Sequence, residues 1–399
     1  MQIVDVETFP VNDLGSRRVL KEGEKPMSGK GAYWEPLLKV GLPRRDGECA
    51  VLVRIRTDDG ITGIGESLAR DAPLATAHIV DHLFKPILMG QDPFDVEILW
   101  ERMFNISRRV GHSRGYFFEA LAGPDCALWD IMGKAKNLPV HKLLGGCGRE
   151  KIKAYASSLS FQSPEEAAKE AVRIVEAGHK MMKLKVGLGI YTVGVDKDAD
   201  IQNVKAIRDA VGYDIDLLLD ADTIYTPYQA IKAGRKFEKY ECFFLEEPVP
   251  SDNLDGYVEV AKALDMPVCG GETHFSLYDF RDLMAKGGVD MINPDMARTG
   301  GITNTKKIVA LAEAFEVGVT PHTGASSAGS KAVGMQLCAT IPEKIFVAYE
   351  YMYKPRRMAS EIVKGNVDEF KDGYCTLSNK PGLGIELNEE ALPKYLMKR

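Results

Sequence analysis

The sequence lacks any uninterrupted apolar stretch near the ~18 residues that a membrane-crossing helix needs. It has no Cys-x-x-Cys pair. Its seven cysteines (Cys49, Cys126, Cys147, Cys242, Cys269, Cys338 and Cys375) are odd in number. A disulfide framework and a structural zinc site are both disfavoured, and a reducing compartment fits better. Neither a Gly-x-Gly-x-x-Gly nor a Gly-x4-Gly-Lys-Ser/Thr turn occurs, so the usual dinucleotide and P-loop cradles are absent. No charge sign dominates. Lys and Arg number 51 against 57 Asp and Glu, a net charge of −6, which gives no reason to expect nucleic acid or a membrane surface as partner. The first residues lack the basic head and apolar core of a secretory leader, so a cytoplasmic protein is expected.

What is present is enough for two cored domains: 399 residues, 45% of them hydrophobic. The first part reads as α+β. Val4, Val6 and Phe9 suggest a strand, and residues 50–56 and 61–65 flank Asp58-Asp59-Gly60, a strong hairpin signal. Residues 13–47 are rich in Gly, Lys and Arg and too long for a simple connection, which points to a functional loop. Helical patterns occupy 73–144. From about Lys151 short apolar runs alternate with amphipathic helices. The runs are 152–155, 181–186, 217–222, 242–247, 267–272, 291–295, 317–322 and 346–351. Eight strands in strict alternation with helices predict an α/β architecture, a (β/α) TIM-type barrel. The expected division is an N-terminal α+β capping domain over 1–125, a catalytic barrel over 126–350, and a segment 351–399 that folds back to complete the cap.

Three carboxylates fall at one spacing. Asp220, Glu246 and Glu272 end the third, fourth and fifth runs, each 26 residues from the next. An acidic residue at a strand end often merely caps the following helix. Three in register at the C-terminal rim of a barrel would instead repel one another unless a cation neutralised them. Oxygen donors suit Mg2+, with Mn2+ as the alternative.

Potential acid–base groups flank these positions. Lys183 and Lys185 stand at i and i+2 on the second run, so both point the same way on a strand that should be buried. A lysine crowded by a second ammonium and a divalent ion has a lowered pKa and can serve as a general base. Asp295 ends the sixth run and His322 the seventh. An aspartate beside the imidazole would fix its tautomer and raise its basicity. Glu350, at the end of the eighth run, would donate a proton or hydrogen bond if protonated.

The ordered set of motifs resembles the enolase superfamily, in its mandelate racemase branch. In the first part it runs through Ile61-Thr62-Gly63-Ile64-Gly65-Glu66, Ala127-Leu128-Trp129-Asp130 and Leu143-Leu144-Gly145-Gly146. In the barrel it continues through Lys183-Leu184-Lys185, Asp220-Ala221-Asp222, Leu245-Glu246-Glu247-Pro248, Gly270-Gly271-Glu272-Thr273, Asn293-Pro294-Asp295, Gly300-Gly301 and Pro321-His322. Sites of that superfamily work with a Lys or His base beside Mg2+. The resemblance implies metal ligands Asp220, Glu246 and Glu272. It implies Lys185 as the base on one face, tuned by Lys183, and His322 paired with Asp295 on the other. Glu350 would contact the substrate carboxylate or enolate. Asp222 stands where many relatives carry Asn, which adds charge near the metal.

The implied chemistry is removal of the proton α to a carboxylate, followed by loss of water from a sugar acid, an aldonate or aldarate, to a 2-keto-3-deoxy acid. A racemase or epimerase, or a sugar-lactone cycloisomerase, would use the same residues. A Schiff-base aldolase or a non-catalytic barrel are readings of another class. Substrate contacts are expected from Arg17, Tyr33 and Trp34 in a segment that resembles the family's mobile cap loop, from Asp222, from His274 just past the last carboxylate, and from the turn 66–72. A homo-oligomer, dimer or octamer, is expected.

Overall fold

The computed structural model describes residues 1–13, 49–70, 72–159, 163–187, 198–324, 328–354, 356–365 and 367–398. Strands β1 (Ile3–Asn12), β2 (Cys49–Thr57) and β3 (Thr62–Ser67) form an antiparallel sheet in that order. The β2–β3 connection turns at the expected Asp58-Asp59-Gly60. Gly60 takes a φ of +81° and its N–H closes on the Thr57 carbonyl at 3.0 Å.

Two longer helices follow, α1 (Val96–Arg108) and α2 (Tyr116–Lys136); the second covers this sheet and the first packs against the second. The second lies directly on β3 because two strand positions carry no side chain. A Cβ at Gly65 would come 2.0 Å from the Gly123 carbonyl oxygen, and one at Gly63 2.1 Å from that of Ala127. The expected division at residue 125 falls inside α2, which is one uninterrupted helix.

The eight apolar runs become eight parallel strands: β4 (Lys151–Leu159), β5 (Met181–Lys185), β6 (Asp216–Asp220), β7 (Phe244–Glu246), β8 (Val268–Gly270), β9 (Met291–Ile292), β10 (Gly318–Val319) and β11 (Tyr349–Met352). Between them run α3 (Pro164–Glu176), α4 (Ala199–Val211), α5 (Pro227–Phe237), α6 (Leu254–Ala263), α7 (Leu277–Ala285), α8 (Ile302–Phe315) and α9 (Ala328–Cys338). Several helices start at local signals. Thr226 and Gln229 form a reciprocal capping box on α5, and Ser276 with Asp279 forms another on α7. The barrel closes where β11 pairs with β4 and where Val347 N–H donates to the Val319 carbonyl at 3.0 Å.

Alternation along the strands sorts the side chains. Met182, Leu184, Leu217, Leu219, Leu245 and Val268 pack toward the helices in the main core. Tyr155, Met181, Leu218, Phe244, Cys269 and Ala348 form a separate apolar plug inside the barrel. Two residues further along the same inward face stand Lys183, Asp220 and Glu246. The interior thus changes from apolar to charged toward the strand C-termini.

The tail makes two attachments. A hairpin of β13 (Glu369–Lys371) and β14 (Tyr374–Thr376) pairs antiparallel with the start of β4, and β12 (Val363–Lys364) pairs with β15 (Glu386–Leu387). Leu383 N–H then donates to Asp130 of α2 at 2.8 Å, and Met397 N–H donates to the Pro10 carbonyl at 2.9 Å. The tail therefore completes the cap. All seven cysteines are free thiols.

His179, just before β5, is buried and stacked on Phe370 of the tail hairpin, with ring centroids 3.8 Å apart. Burial lowers its pKa to about 4. Its unfolded value is near 6.5, so protons bind the unfolded chain preferentially between those limits. This histidine's contribution is intact above pH ~6.5 and is lost as pH falls toward ~4, a difference of about 3 kcal/mol. Urea unfolding from pH 7 to 4.5 should show His179→Phe losing less stability on acidification than the parent. Parallel curves would contradict the assignment.

Candidate active site

Asp220 and Glu246 end β6 and β7 as read from the sequence, and they are paired in register. Glu272 lies two residues beyond β8, which stops at Gly270. Gly271 turns there with a φ of +140°, and the turn is braced from behind. Glu247 accepts from Gly271 N–H at 2.6 Å and from the Thr273 hydroxyl at 2.7 Å, while Asn293 accepts from Glu272 N–H at 3.0 Å. Burial, with the Glu272 charge nearby, pushes the Glu247 carboxyl up to about 7. One oxygen from each of Asp220, Glu246 and Glu272 lies within 4.8 Å of the other two, and all three residues are buried. Asp295 and His322 also sit just past strands β9 and β10, which are only two residues long.

The two lysines stand beside the triad. Lys183 Nζ is 2.6 Å from Glu246, 2.9 Å from Glu350 and 3.7 Å from Asp220. Lys185 Nζ is 2.6 Å from Asp220 and 3.6 Å from Asp222. His322 lies on the other flank. Its Nδ1 is 2.7 Å from Asp295 and its Nε2 is 3.1 Å from Glu272. Ala297 N–H holds the second oxygen of Asp295 at 2.9 Å. With Asp295 on Nδ1, Nε2 is the nitrogen that faces the carboxylates.

The lowered lysine pKa expected from sequence is not what these contacts produce. Burial works against the Lys183 charge, but Glu246 and Glu350 outweigh it and hold the pKa well above the ordinary value. Lys185 is likewise raised, with Asp220 and Asp222 overcoming burial. The expectation assumes that cation repulsion dominates, whereas each ammonium touches a carboxylate directly. His322 is raised too, since Glu272, Glu350 and Asp295 outweigh its burial.

Glu350 requires a second correction. A donor role is expected there from sequence on the condition that the group is protonated, but its oxygens are surrounded by donors. Ser157 Oγ donates at 2.5 Å, Thr323 N–H at 2.6 Å and Gly324 N–H at 2.9 Å, in addition to Lys183. Although burial opposes ionisation, Lys183 and His322 hold the carboxyl well below its usual range. It is an ionised acceptor. Ser157 escapes sequence reasoning because a lone serine has no spacing signal, although its parity with Tyr155 on β4 places it inside.

The remaining expected contacts divide. Asp222 lies at the mouth with its side chain 63% exposed, facing Lys185, and its own N–H donates to Asp220 at 2.9 Å. His274 is not brought to the cluster. It packs against Tyr257 and Phe280 in the helical layer, and burial lowers its pKa to about 4, so it is neutral there. The chain turns back outward after Gly271, and this carries position 274 away from the mouth. Arg17, Tyr33 and Trp34 lie outside the described residues.

The donor set suits a divalent cation. Five buried carboxylates (Asp220, Glu246, Glu272, Asp295 and Glu350) face three cationic groups (Lys183, Lys185 and His322), a deficit of two positive charges. The deficit falls on the triad. Burial and the neighbouring carboxylates raise the carboxyls of Asp220 and Glu246, and Glu246 Oε2 is buried without a hydrogen-bond partner. Added Mg2+ should raise the melting temperature, by an amount equivalent to about 2.7 kcal/mol at a hundred times its Kd. Glu246→Gln should abolish that rise. A full Mg2+ response in Glu246→Gln, read by scanning fluorimetry, would contradict the triad as the metal site.

Comparison with known proteins agrees with this geometry. Residues 37–145 match the family described as "Mandelate racemase / muconate lactonizing enzyme, N-terminal domain", and residues 166–391 match "Enolase C-terminal domain-like". The chain is 32% identical over 351 residues to arabinonate dehydratase of Saccharolobus solfataricus, covering 87% of this chain and 91% of that protein. It is 34% identical over 367 residues to D-galactarolactone cycloisomerase of Agrobacterium fabrum, covering 89% and 93%. The crystal structure of the 3,6-anhydro-D-galactonate cycloisomerase from Zobellia galactanivorans superposes with a TM-score of 0.83 at 30% identity, over 100% of both chains. This chain belongs to the enolase superfamily, in its mandelate racemase branch.

Proposed function

We propose that the protein is a Mg2+-dependent sugar-acid dehydratase, which removes water from an aldonate or aldarate to give a 2-keto-3-deoxy acid. The observation that carries this reading is the flanking of one acidic triad by Lys185 on β5 and by the His322–Asp295 pair after β10 and β9. Relatives named as a dehydratase and as a cycloisomerase support the chemical class. Asp220, Glu246 and Glu272 would hold the metal. A divalent cation there would neutralise the charge that develops on the substrate carboxylate as its α carbon ionises.

The chain's own groups then divide the work. Lys185 Nζ takes the α proton. It can do so once Asp220 shares its charge with a cation, because the lysine then loses much of the support that keeps it an ammonium. The electron pair left on the α carbon forms the α–β double bond as the β carbon–oxygen bond breaks. His322 Nε2 gives its proton to the departing hydroxyl, which leaves as water, and Asp295 steadies the imidazolium until then. The enol product tautomerises to the keto acid. Lys183 and Glu350 hold each other between the two halves of the site.

A cycloisomerase reading differs only in the last step. The same α-carbon charge would displace a ring oxygen or be reprotonated, and the cycloisomerase relatives favour keeping it. Among the described residues no helix is long and apolar enough to cross a membrane. With seven free thiols, we place the enzyme in the reducing cytoplasm.

Purified protein with Mg2+, screened against aldonates, aldarates and their lactones, should form a 2-keto acid from at least one of them. Lys185→Ala should lower turnover by about 10^3-fold and abolish exchange of the α proton with D2O. His322→Asn should abolish dehydration while leaving that exchange. Turnover near the parent rate in Lys185→Ala would refute the assigned base. Lactone opening without keto acid would move the protein to the cycloisomerases.

A further inference from the structure

Asp295 opens the segment between β9 and α8, and the cap grips that segment along its length. Leu68 N–H donates to the Ala297 carbonyl at 3.1 Å, and Trp100 Nε1 donates to that of Gly300 at 2.7 Å. Glu119 Oε1 lies 3.2 Å from Arg298 Nε. Thr303 N–H donates to Asp125 at 3.0 Å. The same segment folds onto Asp295 itself, with Arg298 N–H and Thr299 N–H donating to the Asp295 carbonyl at 2.9 and 2.7 Å. The Leu68 and Glu119 contacts are therefore made within three residues of the aspartate that orients His322, and the Trp100 and Asp125 contacts at the end of the same segment and the start of α8.

Two of the cap residues accept from N–H groups at helix starts in the barrel. The residue before α8 is Gly301, with a φ of +93° and no capping side chain of its own. A Cβ at that position would lie 2.3 Å from Asp125 Oδ2. The carboxylate that meets the first N–H groups of α8 thus comes from α2. The arrangement repeats at α9, which follows the segment carrying His322. Ser330 N–H donates to Glu66 of β3 at 2.9 Å, and a Cβ at Gly329 would lie 2.8 Å from Glu66 Oε2. Both carboxylates are buried, Asp125 completely. A buried carboxyl oxygen that accepts from a helix start fixes that helix to the cap. Among the described residues no such tie reaches the other flank of the site. The ion-pair partners of Lys185, Asp220 and Asp222, belong to the barrel.

We propose that Asp125 and Glu66 are positioning residues, which hold the His322–Asp295 pair in place from the cap by capping α8 and α9 across the domain boundary. The docked cap thereby assembles the acid half of the site, whereas the ion-pair partners of Lys185 among the described residues come from the barrel. The inference rests on reading His322 as the group that protonates the leaving hydroxyl.

The test uses the full chain loaded with Mg2+ and compares two rates on one substrate, α-proton exchange in D2O and net dehydration. Asp125→Ala and Glu66→Ala should each lower dehydration about tenfold or more, the usual effect of removing a group that orients a catalytic one. Exchange should be little changed. Asp125→Asn and Glu66→Gln keep an acceptor oxygen and should restore most of the dehydration. Asp130→Ala is the stability control, since this buried α2 carboxylate accepts from Ile64 and Leu383 N–H and touches neither catalytic segment. It should lower the melting temperature without moving the ratio of the two rates.

If an alanine variant fails to fold, the near-isosteric Asp125→Leu and Glu66→Met carry the same comparison. Equal loss of exchange and dehydration, or the same change of ratio in Asp130→Ala, would overturn the proposal. Should the parent turn over no sugar acid, the functional reading fails. The positioning claim is then judged from the His322 Nδ1–H resonance in 15N-histidine-labelled protein. Asp125→Ala should broaden or shift that signal through faster solvent exchange; an unchanged signal would overturn the claim.

Discussion

Three carboxylates with oxygens within 4.8 Å of one another, all removed from water, set the electrostatic problem that the rest of the site answers. At an effective dielectric of ~20, each such pair repels by about 4 kcal/mol. The sum of three pairs approaches the whole net stability of a typical domain, about 5–15 kcal/mol. Ionised and uncompensated, the triad could not persist. Lys183, Lys185 and His322 answer part of the repulsion, and two charges of deficit remain for a cation. The deficit supplies the catalytic potential: whatever occupies the triad sits in a dry, preorganised field aimed at an acidic substrate.

The barrel creates that field by simple geometry. Alternation places Met181, Lys183 and Lys185 on one inward face, and parallel register carries Lys185 to Asp220 and Asp220 to Glu246. One level down, Tyr155, Leu218 and Phe244 exclude water from beneath the charges. Apolar plug and polar mouth are successive layers of the same strands. The mouth is then finished from outside, because the segments after β9 and β10 are longer than their strands and are tied to cap residues.

Regular features made much of this legible in the sequence. A 26-residue repeat marks Asp220, Glu246 and Glu272, since each strand–helix unit has the same length there. The i, i+2 spacing marks Lys183 and Lys185, and strand-end position marks Asp295 and His322. Reasoning failed where the outcome depends on groups distant in sequence. Against its burial, Glu350 is kept ionised by Lys183 and His322, with Ser157 donating to it as well. The inward placing of His274 depended on the chain continuing toward the mouth, but Gly271 turns it outward against Tyr257 and Phe280. Direct ion pairs reversed the expected lysine shift, because spacing reveals which side chains are neighbours but not which contact is shortest. The helix that crosses position 125 runs on through Pro124, where a break would be expected, and only its packing on β3 assigns it to the cap.

The central claim is that one divalent ion is shared by three rim carboxylates. The most direct measurement is anomalous scattering from a crystal of the protein grown with Mn2+ in place of Mg2+. A single strong peak bonded to oxygens of Asp220, Glu246 and Glu272, at about 2.0–2.3 Å, is the predicted result. A metal peak elsewhere, or triad oxygens that bond only the lysines at saturating Mn2+, would contradict the account.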